Sequence, residues 1–72
     1  MYKYNINIHW EEEEELFVAI VPELPGCMSH GYTPEETVKN IMKAIKAWID
    51  TAKELGREIP EPALQEYSNI IK

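Results

Sequence analysis

One cysteine, three glycines and seven basic residues in a chain of 72 each close off a route. A single thiol forms no intramolecular disulfide, and without a secretory pattern the chain is expected in a reducing, cytoplasmic compartment. Cys27, His9 and His30 are too few, and at no recognised spacing, for a zinc centre. No apolar run approaches the roughly 18 residues of a membrane span, and MYKYNINIHW lacks the continuous apolar core of a signal peptide. Seven bases against 13 acids leave a net charge of -6. That balance argues against nucleic acid as the ligand, because phosphate binding rests on dense Lys and Arg, and it fits a basic protein partner. Phosphate loops and zinc-protease or hydrolase signatures are also missing, so no cofactor is expected.

What remains is a short chain with a thin core. A domain of this size buries only about 60% of the surface its unfolded chain exposes and commonly needs a staple. With disulfide and metal excluded, the expected staple is self-association.

Tyr2, Tyr4, Ile6, Ile8 and Trp10 alternate with Lys3, Asn5, Asn7 and His9, the period of a strand with one buried face. Glu11 to Glu15 follow as a like-charged, solvated hairpin turn. Leu16 to Val21 is apolar on both faces and reads as a central strand paired antiparallel to the first. One helix covers only one side of such a strand, so either Phe17, Ala19 and Val21 or Leu16, Val18 and Ile20 need cover from elsewhere. A dimer is the simplest expectation.

Between Val21 and Thr33 the string VPELPGCMSHGYT holds two prolines, two glycines, the cysteine and a histidine. A Cys–His nucleophile pair needs its side chains within hydrogen-bond reach, but residues 27 and 30 of an extended segment point to opposite sides. The residues describe a corner instead. Pro22 ends the second strand, and Pro25-Gly26 suits the centre of a type II turn. Gly31 allows close approach or a bulge. Thr33, Pro34 and Glu36 form a capping-box start for a helix. Val38, Ile41, Met42, Ile45, Trp48, Ile49, Ala52 and Leu55 make its apolar stripe, Lys39, Lys43 and Lys46 lie on its polar side, and Gly56 ends it. Pro60 and Pro62 then favour an extended path, with a last short strand expected around Glu66 to Ile71. The expected fold is α+β: a small antiparallel sheet with one long helix on one face, in β-β-β-α-β order, with residues 1–72 as a single domain.

The order of these pieces resembles the HicB family of bacterial and archaeal antitoxins. The resemblance rests on VPELPGC, S-x-G-x-T with Pro34-Glu35-Glu36, Asn40, Ile41, Ala44, Ile45, Gly56 and Ile59-Pro60, and it covers nearly the whole chain. It implies a partly RNase H-like fold without nuclease activity, and self-association. It also implies binding to a small basic toxin, HicA, an mRNA nuclease neutralised by covering its catalytic histidine or its RNA surface. Many members carry a C-terminal DNA-binding domain; none is expected here, nor direct contact with nucleic acid. Tyr32 stands where the family often has an acid, and Thr37 where it often has alanine. Glu12, Glu13 and Glu14 at the hairpin tip are candidate partner contacts, as are Pro22, Glu23, Leu24, Pro25, His30 and Tyr32 along the corner. Two rivals stand beside the antitoxin: an orphan structural or regulatory oligomer of the same fold, and a residual RNase H-like hydrolase, which would lack its strand carboxylates.

Overall fold

The computed structural model describes residues 3–62. Strands β1 (Asn7–Glu11), β2 (Leu16–Ile20) and β3 (Met28–Gly31) precede one helix, α1 (Pro34–Glu54). The strands form an antiparallel sheet in the order β1-β2-β3, so the strand that is apolar on both faces lies in the middle. Register places Ile8 opposite Ala19, Trp10 opposite Phe17 and Gly31 opposite Phe17, while His9 and His30 both lie opposite Val18. The α+β class and the β-β-β-α order match the sequence expectation. The last strand expected around Glu66 to Ile71 lies outside the described residues.

Local chemistry fixes the corners. Cys27 N–H donates to the Leu24 carbonyl at 2.9 Å across Pro25-Gly26, and Gly26 has φ 81°, as the third position of a type II turn requires. A second turn precedes it, with Leu24 N–H donating to the Val21 carbonyl at 3.1 Å. Thr33 caps α1, its hydroxyl accepting from Glu36 N–H at 3.0 Å, with Pro34 starting the helix. The Glu36 carboxylate reaches the N–H of Tyr32 at 2.6 Å, one residue upstream of the usual capping-box partner. At the far end Gly56 N–H donates to Lys53 and Arg57 N–H to Ala52. With Gly56 at φ 69°, this is a Schellman motif.

The core lies between α1 and the face of β2 that carries Ala19 and Val21. Those two residues, Leu24, Cys27, Ile41 and Ile45 form one buried cluster, with Tyr4, Ile6 and Trp48 packed against it. Full burial of Ile41 and Ile45 stabilises the fold by about 1.5–3 kcal/mol each. Two anchors tie outlying chain to this core: Tyr4 Oη donates to the Pro60 carbonyl at 2.6 Å, and Trp48 Nε1 to the Pro25 carbonyl at 2.9 Å.

Three expectations are corrected. The first strand begins at Asn7, and before it Tyr4 and Asn5 bond to Pro60 and Glu23. Ile8 and Trp10, expected on a buried face, are 37% and 46% exposed. They share the helix side of the sheet, but α1 packs over β3 and β2 and leaves the side chains of β1 beside it. On the helix, Thr37 is fully buried while Val38 and Leu55 are exposed. The stripe therefore begins at Thr37, one turn before Ile41, and continues through Ile41, Ile45 and Ala52 as expected.

Candidate partner-binding site

Apart from His30, the residues expected to contact a partner are divided between the two ends of the sheet. Glu12, Glu13 and Glu14 sit exposed in the turn that joins β1 to β2, and Tyr32, 72% exposed, leaves β3 at that same end. Pro22, Glu23, Leu24 and Pro25 form the corner at the other end of β2, a strand about 17 Å long. Within the corner, Leu24 is fully buried, so its side chain belongs to the core and is withdrawn from any partner. Glu23 faces inward to the chain itself: its carboxylate accepts from the backbone N–H of Asn5 at 3.2 Å and from Asn5 Nδ2 at 3.1 Å. Pro22 and Pro25 remain exposed.

His30 and Cys27 are separated as their spacing requires. Burial pushes the Cys27 thiol up, and the residue closes the core cluster on the helix side. His30 is exposed opposite Val18, on the other face of the sheet, and its carbonyl accepts from Asn40 Nδ2 at 2.7 Å. Among the described residues no group of His, Cys, Asp and Glu could hold a metal ion, and no helix is long and apolar enough to cross a membrane.

The face turned away from α1 carries a second group of candidate residues. Leu16, Val18 and Ile20 run down its centre, half-buried only by their neighbours. On either side of Val18 stand His9 from β1 and His30 from β3, and Met28, 57% exposed, lies opposite Ile20. Glu11 and Glu14 close one end of this shallow depression of about 540 Å³. Sequence reasoning named Leu16, Val18 and Ile20 as one of two faces needing cover, but it did not name His9, Glu11 or Met28. The signal for them was parity: His9 is out of phase with Ile8 and Trp10, so it shares the side that the helix leaves bare.

Among the described residues, a three-stranded sheet with α1 on one face and an aliphatic surface on the other defines a small α+β domain. The chain belongs to the HicB-like antitoxin family: the model of the HicB-like antitoxin of bacterial toxin-antitoxin system matches residues 4–70. It is similar to UPF0150 protein Ta0767 of Thermoplasma acidophilum, with 38% identity over 66 residues, 92% of this chain and 94% of that one. UPF0150 protein ssl0259 of Synechocystis is 39% identical over 44 residues, covering 61% of this chain and 60% of its own. A UPF0150 protein of Helicobacter pylori is 41% identical over 44 residues, 61% of each chain.

Proposed function

We propose that this protein is the antitoxin of a toxin–antitoxin pair: a non-enzymatic, single-domain binding protein that neutralises a small basic HicA-type mRNA nuclease by masking its active site or RNA surface. The observation that carries the reading is the family match across residues 4–70. The chemistry agrees with it. A net charge of -6 and an exposed run of glutamates favour a cationic protein over RNA itself. The test mixes the purified protein with a HicA-type nuclease from the same organism and follows cleavage of a defined RNA. Stoichiometric inhibition is expected; undiminished cleavage at tenfold excess overturns the reading.

A second reading is favoured by one specific observation, the aliphatic face of β2 that α1 does not cover. In it the protein is an oligomer of the same fold without a toxin, and a second copy covers Leu16, Val18 and Ile20. Sedimentation at micromolar concentration tests this: a cooperatively folded monomer opposes it.

A further inference from the structure

We propose that the open face of the sheet, centred on Leu16, Val18 and Ile20, is the docking surface for the basic protein partner and is not a contact between copies of this chain. The inference rests on the antitoxin reading and adds to it the surface and the side chains that recognise the partner.

Charge decides between the two occupants. Among the described residues the lining of the face contains no Lys or Arg, and its acidic residues are Glu11 and Glu14, with Glu12 and Glu13 beyond them on the tip. Four of the chain's seven cations, Lys39, Lys43, Lys46 and Lys53, are exposed on α1, which packs against the opposite side of the sheet. The same helix also exposes Glu35, Glu36, Asp50 and Glu54, so the helix side is of mixed charge while the open face is acidic and apolar.

A second copy laid on this face by two-fold symmetry presents the same lining. If the axis runs along the strands, Glu11 and Glu14 meet their own counterparts. If it runs across them, those carboxylates meet the end carrying Ile20 and Met28, and desolvation is uncompensated. Neither arrangement supplies a cation. A partner with an apolar centre and a Lys- or Arg-bearing rim satisfies both parts: it covers the aliphatic row and pairs Glu11 and Glu14. The imidazoles beside Val18 add hydrogen-bonding groups that fix its orientation.

The probe is the HicA-type nuclease of the inhibition assay, with its catalytic histidine replaced so that it binds without cleaving. Val18→Lys places a cation at the centre of the face and is expected to weaken binding at least about 100-fold, as loss of a central contact does. Glu11→Lys with Glu14→Lys leaves the aliphatic row intact and keeps the test open if Val18→Lys fails to fold; a loss of about tenfold or more is expected. Val38→Lys, at an exposed apolar position on the helix, is expected to change affinity less than about threefold. Thermal melting establishes that each variant is folded. Full affinity in the folded Val18→Lys variant or in the double glutamate variant overturns the assignment. So does a wild-type dimer that Val18→Lys splits while the toxin still binds. If the wild-type protein binds no toxin before any substitution is made, the antitoxin reading itself has failed and the docking surface falls with it.

Discussion

A Cβ placed on Gly31 would lie 2.7 Å from the Thr37 hydroxyl and 2.8 Å from the Thr37 backbone nitrogen. The last residue of β3 therefore touches the first turn of α1 where only a glycine fits. Thr37 is fully buried there, its hydroxyl donating to the Thr33 carbonyl at 2.7 Å. This approach brings the start of the helix down onto the sheet and turns Val38 out to solvent.

Gly31→Ala should destabilise the fold by about 1–3 kcal/mol, the range for forcing extra volume into a packed contact. Thr37→Ala in the same chain removes the 2.7 Å hydroxyl contact but not the 2.8 Å contact with backbone. The double variant should therefore recover less than half of the loss. Urea midpoints for the three variants decide it. A Gly31→Ala midpoint equal to wild type, or complete rescue, would show that the contact yields more easily than its backbone component allows.

Glu15 carries φ 56° in the hairpin turn, a left-handed conformation that a side chain with a Cβ adopts at a cost of roughly 1–2 kcal/mol. Its N–H donates to the Glu11 carbonyl at 2.8 Å, so the turn holds the strain in place. Glu15→Asn and Glu15→Gly should each stabilise the domain by about 0.5–1 kcal/mol, since asparagine tolerates this region and glycine enters it freely. Glu15→Gln removes the charge but keeps the strain, and should gain less. Equal gains for Gln and Gly by thermal melting would assign the benefit to charge relief instead.

The pieces legible from sequence were those fixed by neighbours in the chain. Thr33-Pro34 began the helix, Gly56 ended it, Pro25-Gly26 made the type II turn, and the glutamates formed the hairpin tip. The residues that needed three dimensions were misjudged. Alternation put Ile8 and Trp10 on the correct side of the sheet, but alternation carries no information about how far across that side a single helix reaches. Periodicity placed Val38 on the stripe, but the rotation of α1 is set by the meeting of Gly31 with Thr37, a pair joined only by folding. The candidate site divided for the same reason: Tyr32 and Pro25 are close in sequence but stand at opposite ends of the sheet, and Leu24, in a loop-like string, plugs the core. Both-sided apolarity in β2 did foretell that the helix would cover only one of its faces; which face depended on the helix.

Cys27 gives a pH signature with a definite sign. Burial pushes its thiol up, so the folded chain holds that proton more tightly than the unfolded chain does. The stabilisation is complete below the ordinary thiol range and is lost as pH rises through the raised folded value. Wild-type stability should therefore fall above about pH 8.5 more steeply than that of Cys27→Ala. Alkylation of the native thiol should also be slow and limited by opening of the fold. Parallel stability–pH curves for the two proteins, measured by urea unfolding from pH 7 to 10, would contradict this origin.

The glutamates at the hairpin tip should act on the speed of encounter more than on the lifetime of the complex. They are exposed, and Glu12 accepts from the Trp10 indole N–H at 3.1 Å, a contact that glutamine can still accept. A cationic partner approaching the acidic end of the sheet feels them before contact, and salt screens that attraction over about 8 Å under physiological conditions. Replacing Glu12, Glu13 and Glu14 with glutamine should slow association with the toxin and flatten its dependence on ionic strength, with dissociation little changed. Stability should not fall, because the substitutions relieve like-charge repulsion in a turn. Charge reversal at Glu11 and Glu14 is different, because those side chains border the face itself and should raise the dissociation rate as well. Stopped-flow association across a salt series separates the two effects. Identical salt slopes for wild type and the triple glutamine variant would reduce the tip to a solvated turn and leave recognition to the face alone.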